Sequence, residues 1–321
     1  MKKILCVCAL LSALLSSCYE PYIKDFDYTS IYFMYQTNVR TFVVGEGMKI
    51  EVGAALGGIR ENTRDRVVNF TLDPKLVNAE ALAAMKTGAA YIKDAVQTVD
   101  TLKVIPSNYF TISDNAKMVI KAGKHSGSVV IKADSARFLQ DAATLRPVYA
   151  LPFYIVSADA DSLVRAKRSA VIALKYENML FGNYWHGGVT TVKDATGKVV
   201  RTVNYFTTIP SPEGKVMALK TIAPNALVTN KISDQTGAMK LTLQGNSVIV
   251  SQAPGSRVIV EPDGESVFNR SKLLQNRKII LKYKYANADG TTSFAQDTLT
   301  FRNRIRDGVN EWQDENPANY Q

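Results

Sequence analysis

Few residues in this chain can do chemistry, and their positions limit what that chemistry could be. Of 321 residues, three are cysteines and two are histidines. Cys6, Cys8 and Cys18 all lie at the extreme N-terminus, so the rest of the chain has no thiol for a disulfide, a thiolate nucleophile or a Cys-ligated zinc ion. His125 and His186 stand some sixty positions apart and are too few for a multi-histidine site. No cofactor and no metal is therefore expected. A Gly-rich phosphate loop, a Gly-x-Ser-x-Gly elbow and a His-Glu-x-x-His pair are all missing from the sequence. Glycoside hydrolysis would need two carboxylates at a set separation across a cleft. Glu177, Glu213, Glu261, Asp263, Glu265 and Asp297 are available, but chain spacing does not say which of them converge. Asp159-Ala160-Asp161-Ser162 echoes the start of a calcium loop without its glycine or its distal glutamate.

Two segments could bind rather than react. Gly182-Asn183-Tyr184-Trp185-His186-Gly187-Gly188 is the densest aromatic cluster. Flat rings beside glycines suit the C–H face of a pyranose, which makes Tyr184 and Trp185 candidate stacking residues. The commoner use of such a ring is to seal one end of a β-barrel, and that reading of Trp185 is preferred. His186 alone reads as a hydrogen-bonded structural histidine. The second segment, Leu299 to Trp312, gathers Arg302, Arg304 and Arg306 with Asp307, Glu311 and the other tryptophan, Trp312. Arg304 could grip sugar hydroxyls or acid groups, with Trp312 as a stacking plate. The preferred reading is a network of arginine and carboxylate pairs that pins the C-terminal tail.

The elements that must position these residues begin with an address. Lys2 and Lys3 precede an apolar run, Ile4 to Leu15, too short to cross roughly 30 Å of hydrocarbon as a helix. The run ends in Leu15-Ser16-Ser17-Cys18, which resembles a bacterial lipobox. That resemblance implies cleavage after residue 17 and a diacylglycerol anchor on Cys18. Residues 18–27 then form a polar tether, and the expected location is the outer membrane, lipid-anchored and facing the cell exterior. Without Lys2 and Lys3 the 39 basic residues become 37 against 29 acidic, a net charge of +8 spread evenly along the chain. Solvated faces explain this better than a nucleic-acid stripe, so no nucleic-acid partner is expected.

About 300 mature residues suit two domains, each able to bury its own core. From Ser30 the apolar residues alternate with the period of half-buried strands: Ile31, Phe33 and Tyr35, then Val67 to Leu72, Lys117 to Ile120 and Ser128 to Lys132. Lys75 to Thr87 is the one convincing helix. Seven or so strands at this spacing predict an immunoglobulin-like sandwich over residues 28–176. A second series over residues 177–321, eight strands with short turns such as Gly245-Asn246, predicts an antiparallel, lipocalin-like barrel or a second sandwich.

The motifs also resemble a family. Phe26 to Phe33, Val39 to Gly47, Leu56 to Asn62, Ser107 to Phe110 and Tyr149 to Pro152 look like domain of unknown function 1735, the N-terminal domain of many Bacteroidetes surface lipoproteins. The half from Gly182-Asn183-Tyr184-Trp185 to Glu311-Trp312 is similar to domain of unknown function 4361. The resemblance implies a setting beside outer-membrane glycan importers in polysaccharide-utilization loci. Some relatives place the N-terminal domain before an endo-glycosidase, but that enzyme's Asp-x-x-Asp-x-Asp-x-Glu motif is missing from this sequence. The expectation is a non-enzymatic lipoprotein that binds or presents glycan to an uptake system, held to the bilayer by its acyl anchor. The alternatives are an adaptor docking to outer-membrane partners and a glycosidase of unfamiliar type.

Overall fold

The computed structural model describes residues 28–205 and 215–314. The signal, Cys18 and the tether lie outside the described residues. In chain order the first eleven strands are β1 (Ser30–Tyr32), β2 (Thr37–Val44), β3 (Lys49–Gly57), β4 (Arg66–Leu72), β5 (Lys103–Val104), β6 (Phe110–Ile112), β7 (Lys117–Ile120), β8 (Ser126–Ala133), β9 (Tyr149–Ala158), β10 (Ser162–Leu163) and β11 (Ser169–Asn178). They form two sheets, ordered β10-β1-β3-β8-β6 and β2-β11-β9-β4-β7, with β5 alongside β9. Alternation decides what each strand buries. In β4, Val68 and Phe70 point inward while Val67 and Asn69 point outward, and in β8 Val129 and Ile131 do the same. The inward residues of both sheets share one core around Ile31, Phe42, Ile120, Ile131 and Phe153. Parallel pairing of β2 with β11 and of β1 with β10 makes both sheets mixed.

The single helix expected over Lys75 to Thr87 is shorter and has company. A 3₁₀ turn at Pro74–Leu76 gives way to α1 (Ala79–Lys86), because the Asn78 side chain accepts the Ala81 N–H at 2.9 Å and caps a new start. Next come α2 (Ala90–Val96) and the short α3 (Ser135–Gln140). Leu82, Met85, Ile92 and Val96 of the first two helices pack on Val39, Ala150, Val171 and Ala173, the outer face of the second sheet. Strands β9 and β11 are therefore buried on both faces, which is why Ala170 to Leu174 reads as an unbroken apolar run.

The second half contains β12 (Gly182–Lys193), β13 (Val199–Tyr205), β14 (Lys215–Ala223), β15 (Ala226–Thr229), β16 (Lys231–Ile232), β17 (Gln235–Thr236), β18 (Met239–Gln244), β19 (Ser247–Gln252), β20 (Val260–Pro262), β21 (Val267–Phe268), β22 (Lys278–Ala286), β23 (Thr292–Arg306) and β24 (Val309–Glu311). Apart from the β16–β17 hairpin they belong to one large antiparallel sheet. Its order runs β12-β14-β15-β18-β19-β21-β22-β23, and β23 pairs back onto β12 along nearly its full length, so the ladder closes on itself. Closure leaves no free edge at that seam. Tyr184, Met217, Leu227, Leu241, Leu281 and Leu299 fill the interior, and Val43 of β2 joins the same cluster from the first half.

Candidate functional site

Strand β12 carries the aromatic cluster and sorts it by alternation. Tyr184 and His186 point inward and are fully buried, while Asn183 and Trp185 lie half-buried on the outside. This corrects both expectations for the pair. Tyr184 has no solvent face on which a sugar could stack: its ring meets Phe301 edge-on, and its hydroxyl donates to the Leu180 carbonyl at 3.1 Å. Burial pushes the phenol pKa well up. Trp185, read as an interior plug, is instead an exterior residue, paired in register with Val216 of β14 and Thr300 of β23.

A bulge completes the exterior face. Asn183 pairs with Asn303 and Tyr184 with Phe301, which leaves Arg302 as an extra, unpaired residue on β23. Bulges re-aim side chains, and here both Arg302 and Asn303 turn outward while Phe301 and Arg304 turn inward. The Arg302 guanidinium lies 4.8 Å from the Trp185 ring centroid, a cation–π contact worth about 0.5–1 kcal/mol at an exposed site. Next to it runs a row of amides. Asn183 Nδ2 donates to Asn303 Oδ1 at 3.3 Å, and Asn303 Nδ2 donates to Asn310 Oδ1 at 2.6 Å. Lys278, opposite Thr300, adds a second exposed cation. Trp312 is 57% exposed just past β24, on the hairpin that also exposes Ile305 and Val309. Sequence reasoning named Arg302 only as part of the tail segment and missed the asparagine row, because the shared outward turn of Arg302 and Asn303 depends on the bulge.

Arg304 proves unavailable to a sugar. It is 1% exposed and both its terminal nitrogens donate to the Glu46 carboxylate, at 2.8 Å each, while its Nε donates to Glu311. The tail is thus held by arginine–carboxylate pairs, and their hub comes from the other half of the chain. Glu46 sits in the Gly45–Met48 turn after β2, where Gly45 and Gly47 take φ values of 89° and 80°. It also accepts from Arg277 at 2.8 Å. Burial alone would raise its pKa; hydrogen bonds and charge from Arg304, then Arg277, hold it below the ordinary value. That is the opposite of the raised pKa a general acid needs. Beside this hub, a polar cleft of about 510 Å³ opens between the two halves, lined by Arg40, Lys49, Glu51, Arg306 and Asp307 among others.

The partial calcium echo is structural. Asp161 accepts from the backbone and hydroxyl of Thr29, at 2.7 and 2.6 Å, and Asp159 pairs with Arg64.

Inside the closed ladder, four inward side chains converge. Tyr205 and Tyr283 both donate to the Asp297 carboxylate, Tyr283 at 2.7 Å, and His186 Nε2 stands 3.1 Å from Asp297 Oδ2. The Ser233 amide donates to the Tyr283 hydroxyl, and Thr190 and Ser233 exchange a hydrogen bond beside them. Burial, then the charge of Asp297, pushes both phenols up. The histidine, expected to be hydrogen-bonded, is fully buried with Nε2 against the Asp297 carboxylate, but neither ring nitrogen meets hydrogen-bond geometry among the described residues.

Comparisons with known proteins bear on the fold. Residues 26–162 match a family model described as an N-terminal domain, a span that takes in most of the first two sheets but less than half of the chain. No curated protein matches the chain. A Bacteroides ovatus protein of unknown function, solved by structural genomics, is similar at a TM-score of 0.62 and 19% identity, covering 90% of this chain and 99% of that one. A multidomain protein including DUF1735, also from Bacteroides ovatus, aligns at a TM-score of 0.42 and 12% identity, over 89% of this chain and 100% of that one.

Proposed function

We propose that this chain is a lipid-anchored protein of the bacterial outer surface that binds glycan, without cleaving it, and presents it to an uptake system. The observation that carries the reading is the exterior face of β12 and β23. It joins a half-exposed tryptophan, a cation lying on its ring and a row of three amides, which together offer stacking and directional hydrogen bonds to a sugar. Trp185 replaces Tyr184 as the central residue, with Arg302, Asn183, Asn303 and Asn310 around it, and Arg304 acts only by supporting the hairpin. Support for the setting comes from the lipobox-like Leu15-Ser16-Ser17-Cys18, from the N-terminal domain match and from a fold shared with a Bacteroides ovatus protein. The carboxylates of Glu46 and Glu311 share the Arg304 guanidinium and are held as well by Arg277 and Arg306, a poor arrangement for acid–base work. Screening the protein on an array of plant and host glycans tests the reading; binding to none of them contradicts it.

A second reading, an adaptor that docks to an outer-membrane partner, draws on Ile305, Val309 and Trp312, three large apolar residues exposed on one short hairpin. It predicts co-purification with a membrane partner that is lost on Ile305→Asp substitution, with glycan binding intact.

A further inference from the structure

The two sheets of the first half treat their edges differently. In β3 the even-numbered residues turn their backbone groups to β8: Leu56 N–H donates to the His125 carbonyl, and the flanking Met48 carbonyl accepts from Ala133. The odd-numbered residues turn theirs to the other side. There β1 reaches only Ala55 and Gly57 and ends at Tyr32. The chain then leaves for the second sheet, where Phe33 N–H donates to the Lys167 carbonyl and the Gln36 carbonyl accepts from Val171. The N–H and C=O groups of Lys49, Glu51 and Gly53 are left in a row, about 7 Å from one residue to the next. None of them has a hydrogen-bond partner among the described residues. Strand β2, the edge of the second sheet, borders the same opening but is closed by side chains. Its Val39 N–H donates to the Asn38 side chain at 2.8 Å, and its Thr41 N–H donates to Asp307 at 3.3 Å. Open edges invite pairing with another chain and are ordinarily blunted; here one side of the opening is blunted and the other is not.

A groove follows the open edge. A cavity of about 240 Å³ is lined by Val52, Gly53 and Ala54 of β3 and by Phe33 and Ile172 across from them, with Met34 and Tyr35, each 58% exposed, on its border. The polar cleft of about 510 Å³ continues it past Lys49 and Ile50, and Arg40 and Glu51 line both. Along β3 the groove covers Lys49 to Ala54, about 20 Å of strand.

We infer that the Lys49–Ala54 edge of β3 is a docking site for an extended strand of another polypeptide, paired antiparallel to β3 where a longer β1 would lie. The row of N–H and C=O groups selects the class of partner, because a second strand matches it group for group. Alternation sets the partner's side chains. Ile50, Val52 and Ala54 point into the sandwich, so residues opposite them enter the cavity and are small and apolar, while those opposite Lys49, Glu51 and Gly53 face water. Charge sets the register. Lys49 lies directly across from Lys132 of β8, two exposed cations with no carboxylate paired to either among the described residues, and an acid opposite Lys49 offsets their repulsion. The edge shares no residue with the Trp185 face, so it acts whether or not the chain binds glycan.

The test uses the full chain and a fluorescein-labelled peptide, Ser-Val-Thr-Ala-Lys-Val-Asp-Ser, which sets its lysine opposite Glu51 and its aspartate opposite Lys49. The expected result is a saturable rise in anisotropy. In hydrogen exchange read by nuclear magnetic resonance, the Glu51 and Gly53 amides should exchange fast in the protein alone and slowly with peptide, while the Val52 amide, bonded to β8, is protected in both. Glu51→Pro removes one outward N–H and leaves the β8 ladder intact, so it should abolish binding, with circular dichroism confirming the fold. Lys49→Glu should weaken binding about fivefold, and a peptide carrying lysine in place of the aspartate should restore it. This charge exchange decides the matter even if the proline variant does not fold. No saturable binding overturns the inference, as does binding unchanged in Lys49→Glu. Glu51 and Gly53 amides already protected in the protein alone overturn it too, since another part of the chain would then cover the edge.

Discussion

Glu46 and Arg304, 258 positions apart, meet as a two-pronged pair: both guanidinium nitrogens reach the carboxylate at 2.8 Å, and both residues are buried. Arg277 approaches the same carboxylate, so one anion from the first half pairs with two cations of the closed ladder, and Glu311 gives Arg304 a second carboxylate. The junction of the two halves is built on this contact. Glu46→Ala removes the carboxylate that two buried guanidinium groups share and should cost about 3–5 kcal/mol. Denaturant unfolding of the wild type and the variant measures the difference. A loss within error of zero would show that the junction is held elsewhere.

The same pair predicts a pH dependence. Because the pKa of Glu46 is held below its ordinary 4.5 in the folded chain, its contribution is fully present above that value and is lost as pH falls through the lower, folded-state value. Asp307 works in the opposite sense. Burial, against the pull of Arg40, raises its pKa, so its protonation does not add to the acid loss. The stability gap between wild type and Glu46→Gln should therefore stay constant from neutral pH to about 4.5 and narrow below it. Melting temperatures across that range supply the check.

Gly188 of β12 pairs with Asp297 of β23. A Cβ there would sit 2.4 Å from the Gln296 carbonyl oxygen and 2.9 Å from both Asp297 Oδ1 and Tyr205 Cε2. The obstacles are backbone and buried side chains with nowhere to go. Gly188→Ala should lower stability by about 1–3 kcal/mol, read from the urea midpoint.

Cys18 governs location in this account. With the cysteine in place, the protein should label with palmitate and partition into the membrane fraction; Cys18→Ala should abolish both without altering the fold. Membrane association that survives the substitution would point to a different anchor.

How much of this was legible in the sequence follows from the physics of each element. Alternation located most strands, since a strand with one wet face writes its period into the residues, as Val68 and Phe70 do in β4. Helix α2 was invisible because Ala89, at its start, supplies no capping side chain. For Tyr184 and Trp185, a period of two says that one faces in and the other out, but not which. The phase is set by neighbouring strands far along the chain, and the larger ring was the wrong guess for the interior. The arginine–carboxylate network at the tail was readable from Leu299 to Trp312, where both charges stand close together. Its hub was not, because nothing in Gly45-Glu46-Gly47 announces a partner near the other end of the chain. Asp297 stood among the carboxylates considered, but its convergence with His186, Tyr205 and Tyr283 depends on the register of β12, β13, β22 and β23. The outward turn of Arg302 depends on one unpaired residue in that same pairing.

Affinity electrophoresis of the wild type, Trp185→Ala and Tyr184→Phe through gels containing each glycan is the most direct test of the binding face. The exterior tryptophan should prove necessary and the interior tyrosine indifferent: wild type and Tyr184→Phe retarded equally by at least one glycan, and Trp185→Ala migrating as it does without glycan. Equal retardation of all three proteins, or of none, would contradict the assignment.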